Sequence, residues 1–546
     1  MCEYEVRSLT RCPVRWSCSD ILKVVNLSHS WVAWGHVSSL ALITVFLLAG
    51  CCRLGFEASA ARDSSAETSP LADGASDRAS PPVDGSNNES GTTLPIDGGH
   101  EIGTSDLGSP DLPPAMDGGS LGGQSLWSKQ YGGPESDHGM SVALDSNGNI
   151  YITGVYRNLV DFGGGTLPSF LGNNIFIASF TASGAHRWSK GFGGSDTESG
   201  SAVAVDGNNN VYLTGHFRAS VNFGGTAATS AGLDDIFLMS FTSSGTQRWV
   251  QTFGGGGNDV GNAVVVDSSN NLYLLSSFQQ TVSFGSSSFT TGGLTDSALV
   301  SFTSTGGFRW AKQLGASGTT VGRSAALGGG YLYIAGSFYN DTNLGGALLT
   351  SKGAEDAFLA SYSLAGAHRW SMQLGGKSDE RGSALAADVA GNTYLTGEFS
   401  GTTNLGGSAL VATGVDDIFL ASYSSTGSHR WSKGFGGASY NEGLSIAVGK
   451  NGAVYFTGDF QGMMDMGGSA LVSQGTYEIF VASFSSAGAH RWSRRFGGAS
   501  MDYGYGIAAS DAIYATGIFL GTADLGGSTP AASAGAGDVF LLKLQP

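Results

Sequence analysis

Seven tryptophans divide the last three-quarters of this chain into near-equal lengths. By subtraction, Trp127, Trp188, Trp249, Trp310, Trp370, Trp431 and Trp492 are separated by 61, 61, 61, 60, 61 and 61 residues. A repeat held this tightly is one structural unit copied, because each copy must present the same faces to its neighbours. Residues in step with the tryptophans are needed by every copy and are structural. Specific function has to be sought among residues that fall out of step.

The unit reads as β-structure. In the second full repeat, Ser201–Asp206, Val211–Phe217, Ile236–Phe241 and Gln247–Phe253 are short β-rich runs. Turn clusters at Gly207–Asn210 and Ser244-Gly245 separate them. This pattern predicts a four-stranded antiparallel meander. One such sheet cannot bury both faces, but sheets stacked radially cover one another and leave no long edge exposed. The expected fold is all-β: a seven-bladed β-propeller of four-stranded antiparallel blades over residues 124–546. A β-solenoid fits less well, since its rungs run to about 20–25 residues.

The ends of the repeat array add a detail. The last repeat stops after Asp538–Leu544 and lacks the strand that carries the tryptophan. The array opens on an orphan copy of that strand, Ser125–Lys129. The N-terminal strand is therefore expected to complete the last blade.

Trp188–Gly194 (WSKGFGG), Gly200, Ala204–Asp206 (AVD), Val211–Gly215 (VYLTG) and Asp235–Phe237 (DIF) together resemble the bacterial SBBP-type β-propeller repeat. The resemblance implies the fold and not a ligand. The fourth repeat departs most, with Thr320, Gly328 and Ala335 where acid, Asp and Thr recur, and its blade is expected to be the least regular.

Composition agrees. Glycine is abundant at 87 residues and charged residues make up only 13%, as tight turns between strands require. The net charge of −17 splits as +1 over residues 1–52, −9 over 53–123 and −9 over 124–546. With no basic patch, nucleic-acid binding is disfavoured. All five cysteines precede residue 53, so the repeats have neither disulfides nor thiolate metal sites.

Those cysteines fall in an address segment, residues 1–52. Val37–Gly50 is an apolar run of signal-peptide length ending in Leu48-Ala49-Gly50 before Cys51. This resembles a lipobox, with Cys51 as the lipidated residue. Two or more acyl chains would anchor the chain stably to a membrane. A transmembrane helix over Trp31–Gly50 and an ordinary cleaved signal are the alternatives. Residues 1–36 are long for an n-region, and translation is expected to start downstream. Residues 53–123, rich in Ser, Asp, Gly and Pro, read as an acidic disordered tether. The expected location is the cell envelope, at the outer membrane or cell surface, with secretion as the alternative.

Candidate chemistry is sparse. Asp137, Glu198, Asp259, Glu380 and Asp502 recur after the tryptophans, with Thr320 and Asn441 interrupting the series. A ring of carboxylates at a channel mouth could hold Ca²⁺; the simpler account is a turn acceptor. A second series, Asn174, Asp235, Asp296, Asp356, Asp417, Glu478 and Asp538, is complete and reads as turn acceptors throughout. His186, His368, His429 and His490 recur beside the tryptophans and are expected on separate, solvent-facing strand positions. No catalytic constellation is identifiable, so the chain reads as a non-enzymatic binding or scaffold module. Its ligand-binding candidates are the out-of-step residues Tyr339, Tyr440, Met463, Met464, Tyr503 and Tyr505. An envelope protein or polysaccharide is the expected partner of a monomeric chain. A carbohydrate-active enzyme using facial carboxylates and a purely structural envelope protein are the rivals.

Overall fold

A computed structural model describes residues 122–546. Cys51, the signal segment and the tether up to residue 121 lie outside the described residues.

Every described element is a strand. His138–Leu144, Ile150–Arg157, Asn173–Phe180 and His186–Gly194 pair antiparallel in chain order as one four-stranded meander. The second meander runs from Glu198–Val205 to Gln247–Phe253. It is larger than its sequence suggests. Its second and third strands extend to Val211–Asn222 and Ala227–Phe241, so the Gly/Ala/Ser/Thr stretch between them is a long hairpin. The pattern continues through sheets beginning at Val260, Thr319, Glu380 and Asn441. The fourth of these meanders, Thr319–Gly328 to His368–Leu374, is complete, contrary to its expected irregularity. Thr320 and Thr342 bond through their hydroxyls at 2.7 Å, filling the place the acid holds elsewhere.

The last sheet is built as the truncated repeat predicts. Asp502–Ala509, Ile513–Phe519 and Asp538–Leu544 pair in order, and Ser125–Tyr131 adds to the far side of Asp538–Leu544. The first strand of each sheet lies against the first strand of the next. His138–Leu144 lies in turn against Asp502–Ala509, so the order is cyclic.

The core lies between sheets rather than within them. Tyr151, Ile175 and Ile177 of the first sheet cluster with Leu213, Phe237 and Met239 of the second. Ile152, Phe176 and Ala178 cluster with Tyr514, Val539 and Leu541 across the closing seam. A sheet with one buried flank per neighbour is stable only while both neighbours are present.

The tryptophans fasten these seams. The Trp188 indole N–H donates to the Ser243 carbonyl in the next sheet's turn at 2.9 Å, and Trp249, Trp370 and Trp431 repeat the bond to Ser304, Ser425 and Ser486. Gly245 lies beneath Trp188 at φ 84°, and a Cβ there would come 2.6 Å from the indole. Glycine is required twice over, by the left-handed backbone and by the ring's approach. The last tryptophan finds the same support at the other end of the array: Trp492 packs on Gly123 at φ 76°. Gly123 precedes the expected boundary at 124, yet it supplies this contact and its N–H donates to the Gln545 carbonyl at 2.9 Å.

The recurring hairpin motif is also structural. Asp206 accepts from the backbone N–H groups of Asn208 and Asn210 and from the Tyr212 hydroxyl at 2.8–2.9 Å. Arg248, beside Trp249, donates to that same hydroxyl and to Ser240 Oγ. In the fourth repeat Gly328 leaves Tyr333 without its aspartate, and a shallow cavity of about 400 Å³ opens by Gly328–Gly330, Asp267 and Asp388.

Candidate functional site

The two acid series sit at one end of the sheets, where most members accept backbone N–H groups, although Glu198, Glu380, Asp235, Asp296, Asp417 and Asp538 each keep a buried oxygen with no hydrogen-bond partner among the described residues. Asp137 accepts from the N–H groups of Gly133 and Arg157, Asp259 from Gly255 and Gln279, and Asp502 from Gly498 and Leu520, at 2.7–3.1 Å. Glu380 accepts from Gly376 at 3.0 Å, and Glu198 is buried in the corresponding turn. All five are buried, each in its own sheet, and no group of three or more candidate metal ligands occurs among the described residues. Burial pushes their pKa up, to about 7 for Asp137, about 8 for Glu198, about 6 for Asp259, about 7 for Glu380 and about 6 for Asp502. The acids of the second series accept from the N–H four residues earlier, as at Asp235, Asp417 and Asp538, whereas Asn174, expected to accept as well, instead donates to the Tyr156 and Gly172 carbonyls.

One position along from the first series, the chemistry stops repeating. The residue following each member is His138, Ser199, Val260, Val321, Arg381, Glu442 or Tyr503. Each stands at the start of a first strand, so all seven share one rim of the cyclic arrangement. Their cross-strand partners vary too: Arg381 faces Glu398 and Glu442 faces Asp459. Half of the rim is therefore charged and aromatic.

An ion-pair network anchors the charged half. Glu355 accepts from Arg381 Nε at 2.6 Å, from Ser337 Oγ at 2.5 Å and from the Tyr339 hydroxyl at 3.0 Å. Arg381 also donates to Glu398 at 2.7 Å. Beyond this pair neither Glu442 nor Asp459 has an ion-pair partner among the described residues. Burial raises the Glu398 pKa, and the adjacent Glu442 charge adds to the rise. Asp459 is 1% exposed, its Oδ1 has no partner among the described residues, and burial with the charges of Glu442 and Glu398 holds its pKa well above the usual range.

Four rings continue the rim. Tyr477 stacks on Tyr503 at 5.7 Å, Tyr503 on Tyr505 at 5.8 Å, and Tyr505 on His138 at 6.2 Å across the closing seam. All three tyrosine hydroxyls are raised by burial and then by the Asp459 charge, which places them in its field. A cavity of about 410 Å³ opens beside His138, reaching Met140, Arg157 and Ser199.

Of the residues expected from sequence, Tyr339, Tyr503 and Tyr505 belong to this rim, and exposed Tyr440 bridges to Asp416 at its edge. Met463 is exposed on a separate short hairpin. Met464 has to be corrected: it is fully buried in the core between the fifth and sixth sheets and offers a ligand nothing. The four histidines are also corrected. They are half-buried, their rings lying over Gly-Gly turns such as Gly163-Gly164 and Gly406-Gly407, and they remain in separate sheets. Arg381, Glu398, Glu442, Asp459 and Tyr477 were missed. The signal for Arg381, Glu442 and Tyr477 was the break in chemistry at positions beside the two acid series, and Glu398 and Asp459 are the cross-strand partners of the first two.

Comparison with known proteins agrees on the unit. Residues 126–155 match the SBBP β-propeller repeat. The matched window joins the closing strand of the last sheet to the first hairpin of the first, so each propeller repeat straddles a seam. The regulatory protein FlaEY of Caulobacter vibrioides is 25% identical over 358 residues, covering 61% of this chain and 37% of that protein. An uncharacterized WD repeat-containing protein of Acanthamoeba polyphaga mimivirus is 25% identical over 234 residues, covering 36% and 17%. The chain thus spans well under half the length of these relatives. Among solved structures, a puromycin hydrolase aligns at 9% identity with a TM-score of 0.36, covering 73% of this chain and 54% of that one.

Proposed function

We propose that residues 122–546 form a seven-bladed β-propeller serving as a non-enzymatic binding module of the cell envelope. The cyclic order of first strands and the packing of Trp492 on Gly123 support the closed ring. The lipobox-like sequence ending at Cys51 supports lipid anchorage at the outer membrane or cell surface, with the acidic tether holding the ring away from the membrane. The observation that carries the binding role is the convergence of out-of-step residues on one rim, where Arg381, Glu398, Glu442, Asp459, Tyr477, Tyr503 and Tyr505 meet while the rest of each repeat is spent on packing. The partner is an envelope protein or polysaccharide, met by a monomeric chain.

Purified protein tested on a glycan array and against fractionated envelope proteins is expected to retain a ligand that Tyr503→Ala releases at least about tenfold faster, as loss of an aromatic anchor does. Clean negatives on both panels overturn the reading.

One observation favours a second reading. Glu398, a buried carboxyl of raised pKa, lies beside Glu442, an arrangement that suits an acid and its charged partner in glycoside hydrolysis. Glycan cleavage abolished by both Glu398→Gln and Glu442→Gln would establish it in place of simple binding.

A further inference from the structure

We infer that Arg157 and Asn173 form a carboxylate site beside His138, one that takes a uronate unit of an acidic glycan. The inference rests on the binding reading above and names the chemistry of what is bound.

In the second sheet, Arg218 and Asp234 are directly opposed on neighbouring strands, and the guanidinium meets the carboxylate through two bonds of 2.9 Å. The same two positions of the first sheet hold Arg157 and Asn173, again directly opposed. An amide stands where the next sheet has its acid, and the Arg157 guanidinium has no hydrogen bond or ion pair among the described residues. The corresponding pairs of the third and fourth sheets satisfy themselves: Gln279 donates to Thr295 at 3.3 Å, and the Tyr339 hydroxyl to Glu355 at 3.0 Å. Guanidinium and carboxylate are both planar and match through two parallel bonds. The partner Arg157 lacks is therefore the one its copy already holds.

Room for that partner lies between the two side chains. Arg157 and Asn173 both line the cavity of about 410 Å³ beside His138. Its other polar walls can donate or accept: Ser199, and Ser136, whose hydroxyl bonds to His138 Nε2 at 2.9 Å. Met140 and Val155 add apolar surface. A sugar ring offers hydroxyls to the first group and C–H bonds to the second, whereas an acidic protein side chain would use the guanidinium alone. A second cavity of about 390 Å³, with Phe170 and Leu171 in its lining, also borders Arg157 and leaves space for the next sugar of a chain. Glu135 lines that cavity without pairing with Arg157.

Calorimetric titration of the full chain with trigalacturonate tests this, beside its uncharged methyl ester and the acidic peptide triglutamate. Trigalacturonate is expected to bind and the ester is not. Arg157→Gln should weaken the binding at least about tenfold, the loss expected for hydrogen bonds to a charged group. Asn173→Asp should weaken it as much, because the introduced carboxylate occupies the guanidinium as Asp234 occupies Arg218. Neither variant is expected to melt below the wild type, since Arg157 is exposed and makes no side-chain bond. The uronate site is overturned if no carboxylate binds, if the ester binds equally, if triglutamate binds as tightly as trigalacturonate, or if either variant binds like the wild type. In that event an envelope ligand still released faster by Tyr503→Ala leaves the binding reading standing.

Discussion

A chain that begins at Gly132 is expected to lose the sharp unfolding transition of the full protein and to aggregate. The truncation removes Ser125–Tyr131, which makes six residue pairings with Asp538–Leu544. It also removes two rings from the closing seam: Tyr131 packs against Phe162 and Phe180 at 5.2 and 5.1 Å, and Trp127 against Tyr514 at 6.3 Å. Large aromatic truncations in a core cost about 3–5 kcal/mol each. Trp127 and Tyr131 are partly buried and cost less than that, but with the lost strand pairing they still approach the lower end of a typical domain's stability, about 5–15 kcal/mol. The last strand would then be an open edge available for pairing with other molecules. A chain beginning at Gly122 keeps Gly123 under Trp492 and should melt like the full protein. A peptide of residues 122–131 added to the truncated chain should restore the transition by strand addition. Circular dichroism and size-exclusion chromatography read all three outcomes, and an unchanged midpoint in the truncated chain would mean the strand does not close the ring.

Raising the pH from 6.5 to 8.5 is expected to lower the thermal midpoint, on the order of 5 °C. The sign follows from the buried acid series. Asp137, Glu198, Asp259, Glu380 and Asp502 have folded pKa values of about 7, 8, 6, 7 and 6, raised from ordinary values of 3.8 for Asp and 4.5 for Glu. A carboxyl whose folded pKa is raised favours the fold fully below its unfolded value, and that contribution is lost as the pH climbs through the folded value. The unfolded chain binds fewer protons across this window, so stability falls with pH. Asp267 runs the other way: burial is outweighed by bonds from Asn271 and Tyr273, which hold its pKa low. Its effect is confined to acid pH. Differential scanning calorimetry across the window checks the slope, and a midpoint that rises with pH would contradict the burial account of these acids.

How much was legible in the sequence depended on whether a residue repeats. Strand count, turn positions and the closing role of Ser125–Lys129 follow from the tryptophan spacing, because packing imposes the same demand on every copy. Strand ends were less legible. The hairpin between Val211 and Phe241 is rich in Gly, Ala, Ser and Thr and carries little apolar alternation, yet pairing continues through Ser220–Asn222 and Ala227–Thr229. Novelty alone also misled. Met463 and Met464 both break the repeat, but strand alternation sends one outward and the other into the core. The rim acids escaped notice for the opposite reason. Arg381 adjoins Glu380 of the acid series and Glu442 adjoins Asn441, one of its interruptions, and a charge beside a turn looks ordinary until cyclic packing brings several together.

Asp459→Asn tests, without any ligand, whether the rim is separate from the scaffold. Asp459 accepts no bond at Oδ1 and feels the charges of Glu442 and Glu398. Residues retained for function at such a position cost stability. The amide removes the buried acid and can donate to Glu442, so the variant should melt higher than the wild type at pH 8.5, with the gain shrinking as the pH falls and the native carboxyl takes up its proton. A lower midpoint at both ends of that range would make Asp459 part of the scaffold and remove the distinction between scaffold and rim.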